Sequence, residues 1–117
     1  MDARQRGKWG EEIARDYLVK KGYSVVETGY RSRFGEVDII VKDSEFVVFV
    51  EVKLRKNSNF AHAREYVGKD KQRKITATAN LWLMSHKTGL QPRFDVIEIY
   101  ARDERAVQEI IHIENAF

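Results

Sequence analysis

Apolar and polar positions along the chain follow two different periods. From Ala3 to Lys20, the residues Gly10, Ile13, Ala14, Tyr17 and Leu18 recur at three- and four-residue spacing, which predicts a helix with one buried stripe. Gly22 stands where a C-terminal cap belongs. The period then shortens. Tyr23–Tyr30 (YSVVETGY), Gly35–Lys42 (GEVDIIVK) and Phe46–Leu54 read as three strands, with Asp43-Ser44 as a hairpin turn between the second and third. Arg55–Gly68 is polar and long for a connection inside a compact domain, a length usually tied to function or mobility. Helical spacing returns over Lys69–His86, where Ile75, Ala79, Trp82 and Leu83 share a face and Gly89 and Pro92 act as stop signals. Phe94–Tyr100 alternates as a fourth strand, and Ala106–Ile113 reads as a fifth, at an edge. The order α-β-β-β-α-β predicts an α/β fold, a mixed sheet with helices packed on it.

Within the third strand, the run FVVFVEVKLRK (Phe46–Lys56) changes abruptly from apolar to charged. A hairpin closing at Asp43-Ser44 would set Lys42 opposite Glu45, Ile40 opposite Val47, Asp38 opposite Phe49 and Glu36 opposite Glu51. Alternation then sends Glu36, Asp38, Glu51 and Lys53 to one face, with Asp38 and Glu51 as diagonal neighbours. The other face (Val37, Ile39, Val41, Val48, Val50, Val52) is apolar and predicts a covering helix. Adjacent carboxylates destabilise a sheet unless something compensates. A hard divalent cation on oxygen ligands would do so, with Lys53 beside it to hold a water or a phosphate oxygen. The competing reading pairs Lys53 with Glu51 or Glu36 and lets Arg33 neutralise the rest. In the first helix, Glu11 borders the buried stripe and Glu12 lies on the far side, so an acid reaching the sheet from there should be Glu11. An exposed N-terminal acid favoured by the helix dipole fits both residues equally.

Composition narrows the picture. A length of 117 residues suits one domain, residues 1–117, with a core that needs no metal or disulfide, and 43% hydrophobic with 33% charged residues is ordinary for a globular chain. Absence of Cys excludes disulfides, thiolate zinc sites and a cysteine nucleophile. The charged N-terminus lacks the apolar centre of a signal peptide, and no apolar run approaches the roughly 18 residues of a membrane span, so the expected location is cytoplasmic. Net charge is +3, yet Lys53–Lys74 carries +6 and the remainder −3. Such a concentration suits a polyanion, and equally suits a solvated loop and helix start. His62, His86 and His112 lack metal-ligand spacing, and surface or packing roles are expected of them; Tyr30 and Tyr66 are expected to pack, with base stacking as the functional alternative.

With these residues assembled, the chain resembles nucleases of the restriction-endonuclease-like superfamily, whose metal site is an Asp followed by a Glu-X-Lys triplet. More narrowly it resembles the YraN-like family of bacterial proteins, predicted endonucleases related to archaeal Holliday junction resolvases. The match covers nearly the whole chain. Gly7 and Glu11-x-x-Ala14-x-x-Tyr17-Leu18 fit the first helix, Tyr30-Arg31 and Gly35-Glu36-Val37-Asp38-Ile39-Ile40 the second strand, and Phe49-Val50-Glu51-Val52-Lys53-x-Arg55 the metal strand. Phe60, Ala63, Glu65, Val67 and Lys71-Gln72-x-Lys74-Ile75 fit the segment that follows, and Phe94-Asp95-Val96 the fourth strand. Three positions depart: Val37 for a superfamily Pro, Gly29 for a frequent Asn, and Ala61 for a frequent Gly.

The resemblance implies a restriction-endonuclease-like core and Mg²⁺ or Mn²⁺ at Asp38, Glu51 and the Val52 carbonyl. It also implies Lys53 as water orienter and Glu11 as accessory acid. Arg31, Arg33, Arg55, Lys69, Lys71, Gln72, Arg73 and Lys74 are the expected nucleic-acid contacts, with branched DNA as the substrate expected from the resolvase likeness. A symmetric cut of two strands would require a homodimer, with Trp82 or the last strand as interface candidates. A non-catalytic nucleic-acid-binding module on the same fold is the alternative, and a purely structural partner protein the third class.

Overall fold

The structure, a computed structural model, describes residues 2–56, 67–103 and 106–117. Most of the polar Arg55–Gly68 stretch, with Phe60, Ala61, His62, Ala63, Glu65 and Tyr66, lies outside the described residues.

Helix α1 spans Ala3–Lys20. Its start is fixed by a reciprocal cap in which Gln5 N donates to Asp2 Oδ1 at 2.8 Å and Asp2 N donates to Gln5 Oε1 at 2.9 Å. Its end is fixed by Gly22, whose φ of +107° suits a residue without Cβ. Strands β1 (Ser24–Arg31), β2 (Glu36–Lys42) and β3 (Phe46–Arg55) follow, then α2 (Lys69–Ser85), β4 (Gln91–Asp103) and β5 (Ala106–Ile113). The five strands form one sheet in the order β1-β2-β3-β4-β5. β3 and β4 are parallel, joined across the segment containing α2, and the other pairs are antiparallel. This mixed α/β sheet with a helix on each face is compatible with the expected core.

The two faces bury different residues. Ala14 and Leu18 of α1 pack on Ile39, Val41, Val48, Val50, Ile97 and Ile99. Ile75, Ala79 and Trp82 of α2 pack on Ile40, Val47, Phe49 and Val96. Val37, expected on the same apolar face as Ile39 and Val41, belongs instead to the α2 cluster. Trp82, expected as an interface candidate, is 4% exposed; its ring meets Phe49 edge-on and its Nε1–H donates to Glu27 Oε1 at 3.1 Å.

Three local expectations are revised. The β2–β3 register pairs Lys42 with Val47, Ile40 with Phe49 and Ile39 with Val50. The loop is therefore Ser44-Glu45, because the Asp43 carboxylate caps it by accepting from Glu45 N and Phe46 N, each at 2.8 Å. The slip is even-numbered, so the residues paired in the ladder keep their faces, while Val37 beyond its end does not. Pro92 stands within β4, near the start of the strand, where a missing N–H is tolerated. Gly29 has a φ of +62°, the left-handed region in which Asn is the best tolerated substitute. Gly for Asn there preserves the backbone conformation.

A polar hub fastens the C-terminal residues. Arg93 donates to both oxygens of the fully buried Asp95 at 2.9 and 2.8 Å, and Asn115 N donates to Oδ1 at 3.0 Å. His112 Nε2 lies 2.7 Å from Asp95 Oδ2, while its Nδ1 faces the Lys21 ammonium at 2.9 Å. Lysine only donates, so Nδ1 accepts and Nε2 carries the proton toward Asp95. Asp95, His112 and Glu114 are near enough to share an ion. The Asp95 oxygens are already committed to four donor groups from three residues, one of them the Arg93 cation, and the cluster works as a clamp.

Candidate functional site

Two strands part company at the end of the hairpin. The β2–β3 ladder runs no further than Ile39–Val50, whereas β3 pairs with β4 from Phe46 to Arg55. β3 therefore stays held on one side while β2 peels away from the other. A backbone donor exposed by the split must find a partner in a half-buried place. Asp38, one step beyond the last pair, provides it: Val52 N donates to Asp38 Oδ2 at 2.8 Å. The carboxylate is thereby aimed into the gap between the strands.

Other acids reach the same gap. Glu51 is only 4% exposed and lies on the Asp38 face. Glu11 arrives from α1 and Glu36 from the start of β2; carboxylate oxygens of Glu11, Glu36 and Asp38 all lie within 4.8 Å of one another. Glu12 is exposed. Gly10 faces β3 at ordinary packing distance: a Cβ there would touch Leu54 and Val52 at 3.8 and 3.9 Å without a clash.

Crowding shows in the proton affinities. Burial, then the Glu51 carboxyl as hydrogen-bond neighbour and like charge, pushes Asp38 up to about 8, against the lowering effect of the Val52 N–H. Burial and the charges of Glu36 and Glu51 raise Glu11 above the usual carboxylate range. Burial and the Lys71 charge depress Lys53, outweighing Glu51. For Lys71, burial pulls downward but contact with Glu51 prevails and raises it. The Lys71 ammonium stands 2.5 Å from Glu51 Oε2.

The expected nucleic-acid contacts are placed differently from one another. Lys69, Arg73 and Lys74 are exposed on the first turns of α2, Arg73 being paired with Asp70. Arg31 donates to Glu36 at 2.6 Å. The Arg33 guanidinium sits 4.9 Å from the Phe34 ring centroid, and Arg55 lies 3.8 Å from Glu98. Gln72 is occupied by its own helix entry, its Nε2 donating to the Val67 carbonyl at 2.8 Å. Lys71, grouped with these cations by its place in the basic run, is the counter-ion of Glu51. The signal was available: Lys71 precedes Ile75 by four residues and so continues the buried stripe of α2. Glu36, placed on the shared face by alternation but assigned no catalytic or metal-binding part, joins the acid cluster.

These residues supply oxygen donors alone, partly buried and mutually repelling. That donor set fits a hard divalent cation such as Mg²⁺ or Mn²⁺, with Glu11, Glu36 and Asp38 close enough to share it and Glu51 beside Asp38. No described helix is long and apolar enough to cross a membrane.

Comparison with known proteins places the chain. A sequence model of the uncharacterised protein family UPF0102 matches residues 10–99. A UPF0102 protein of Clostridioides difficile (strain 630) is 40% identical over 118 residues, covering 100% of both chains. One of Caldanaerobacter subterraneus subsp. tengcongensis is 42% identical over 113 residues, covering 95% of this chain and 93% of the relative. A third, from Thermodesulfovibrio yellowstonii, is 42% identical over 111 residues, covering 95% and 94%. The endonuclease kinship implied by the motifs goes beyond what these names say. The matched span runs from the middle of α1 across the strand gap into β4, and the chain belongs to the uncharacterised protein family UPF0102.

Proposed function

We propose that this protein is a metal-dependent nuclease that hydrolyses phosphodiester bonds in DNA. One observation carries the reading: Glu11, Glu36 and Asp38 gather where β2 leaves β3, Glu51 stands beside Asp38 and Lys53 near Glu51, and burial with the Glu51 carboxyl lifts Asp38 far above its ordinary range. Perturbed acids gathered beside a lysine are the pattern of a reacting site more than of a structural one. A divalent cation held by Asp38, Glu51 and the Val52 carbonyl would polarise a phosphate oxygen and make a bound water more acidic. Lys53 orients the attacking water and offsets charge developing on the phosphorane oxygens. Glu11 serves as an accessory acid at the rim. Arg31, Arg33, Arg55, Lys69, Arg73 and Lys74 hold the phosphate backbone, a mode that recognises shape more than sequence. Branched DNA as the substrate, and a homodimer for paired cuts, rest on the resolvase resemblance.

A second reading has one observation in its favour. With Lys71 already on Glu51, the site is partly neutralised by the protein itself, as a non-catalytic nucleic-acid-binding module would require.

Cleavage assays separate the two. Purified protein is incubated with labelled linear, flapped and four-way DNA in Mg²⁺, in Mn²⁺ and in chelator, beside Asp38→Asn and Lys53→Ala. The nuclease reading expects metal-dependent cutting by the wild type that both substitutions abolish. Equal cutting by all three proteins would mean a contaminant and defeat it, and binding without cutting under every metal condition would establish the module instead.

A further inference from the structure

The turn between β1 and β2 is built to be rigid, and what it holds outward is an aromatic ring. Ser32 N donates to the Gly35 carbonyl at 2.8 Å, and Phe34 N donates to Ser32 Oγ at 3.0 Å. Ser32 Oγ also lies 2.7 Å from the hydroxyl of Thr78, a fully buried residue of α2. Gly35 is seated so closely on α2 that a Cβ there would come within 3.3 Å of Lys74 Cβ. The turn is thus bolted to the helix that carries Lys71.

Among the described residues Phe34 joins neither hydrophobic cluster, and it is 41% exposed. A single exposed apolar side chain is common and by itself means nothing. Here four further features accompany it. The mount is fixed by the bonds just described. The Arg33 guanidinium lies over the ring, 4.9 Å from its centroid. Two residues on, Glu36 belongs to the acid cluster with Glu11 and Asp38. Arg31, Ser32, Arg33, Phe34, Gly35 and Glu36 line an open concavity of about 430 Å³. A rigid aromatic face backed by a guanidinium beside an acidic site matches the flat π-face of a nucleobase and its phosphate together.

We propose that Phe34, with Arg33 against it, is a stacking platform for an unpaired nucleobase adjoining the phosphodiester at the acid cluster. The substrate class is then DNA with exposed bases, such as a single-stranded arm or a branch point, in preference to intact duplex. The inference rests on the nucleic-acid reading of the same site and adds the feature that selects among nucleic acids. In a base-paired duplex each base face is covered by its neighbours, so the ring finds no partner there.

The test measures binding of the full chain to three fluorescently labelled DNA probes: a single-stranded oligonucleotide, the matching duplex, and that duplex bearing a single-stranded flap. Binding is measured in Ca²⁺, and cutting is scored separately in Mg²⁺. Phe34→Ala is expected to weaken the single-stranded and flapped complexes about tenfold or more, the scale of one lost base–aromatic stack. Duplex binding should stay within about twofold of wild type, a difference of under half a kcal/mol. Phe34→Trp should retain affinity, with its added indole fluorescence quenched by the single strand. Thermal midpoints equal to wild type show that the turn is intact. Unchanged affinity of Phe34→Ala for all probes, or an equal loss on all three, overturns the proposal. Wild-type protein that binds none of the probes overturns both this inference and the nuclease reading. Binding that depends on Phe34 without any cutting in Mg²⁺ supports the platform and defeats the nuclease reading alone.

Discussion

Asp38→Asn should make the metal-free protein more stable, an unusual outcome for a substitution at a half-buried, hydrogen-bonded residue. Asn retains an oxygen that can accept from Val52 N, and it removes a charge from beside Glu51 and Glu11. The sign follows from linkage. The folded-state pKa of Asp38 is about 8, against 3.8 for the free group. Asp38 therefore favours folding only while protonated: that contribution is complete below about pH 4 and is lost as pH rises toward about 8. At pH 7 the group lies about three units above its unfolded pKa, which at 1.36 kcal/mol per unit sets a ceiling of about 4 kcal/mol. Solvent at the rim and a proton shared with Glu51 reduce this, and about 2 kcal/mol is the expected gain. For a chain of this length that is a rise in Tm of roughly 6–8 °C. Urea denaturation of both proteins in chelator, from about pH 5 to pH 8, reads the difference directly. Using the difference matters, because Glu11 shifts in the same direction and Asp95 in the opposite one. An Asp38→Asn protein less stable than wild type at pH 8, or a difference that stays flat with pH, would refute the account of the acid cluster.

Two further outcomes follow from the same geometry. Lys71→Met removes the cation from a Glu51 that is 4% exposed; because the Lys71 side chain is 51% exposed, the loss in chelator should be about 1–2 kcal/mol. Mg²⁺ should restore more stability to this variant than to wild type, and equal increments in Tm would show that the two cations do not compete. Asp95→Ala leaves Arg93 buried without its bidentate partner and frees Asn115, for about 3–5 kcal/mol in urea denaturation; a loss under about 1 kcal/mol would deny the hub its role. The His112 and Arg93 hydrogen bonds hold the Asp95 carboxyl below the usual range despite its burial, so the stability it contributes is complete above about pH 4 and fades as pH falls further.

What the sequence disclosed was whatever depends on period. Alternation placed Asp38, Glu51 and Lys53 on one face, and an even slip in register could not undo that. The stripe in α1 similarly separated half-buried Glu11 from exposed Glu12. Register itself was hidden, because it turned on the Asp43 side chain accepting two backbone amides, which moved the loop along by one residue. Lys71 was obscured by its neighbours: a run of charges reads as a solvated patch, although one member lies on the buried stripe. Asp95 was visible only as part of the motif Phe94-Asp95-Val96. Its partners Arg93, His112 and Asn115 come together through the β4–β5 pairing and the residues beyond it, and no local spacing announces such a meeting.

The location of the acid cluster has a mechanical reason. A carboxylate group cannot be forced between two strands that remain hydrogen-bonded, and a loop would hold it too loosely for chemistry. Here β3 is clamped to β4 along its whole length, so its charged end stays rigid even where β2 has left it. The split creates an unpaired amide at Val52, and Asp38 answers it. Backbone accounting thus fixes the direction of the acid independently of its charge. Glu51 and Lys53 need no such device, because the strand that bears them is bounded by β4 and rooted in the buried Phe49 and Val50. The repulsion that remains is offset in the metal-free state by Lys71 on Glu51 and Arg31 on Glu36, both of them exposed side chains that can swing aside. The framework is held by the two apolar clusters and the Asp95 hub, and the site is held by ion pairs reachable from solvent. On the nuclease reading proposed above, a cation and an anionic backbone would replace those two pairs without disturbing either core, because both counter-ions are exposed side chains.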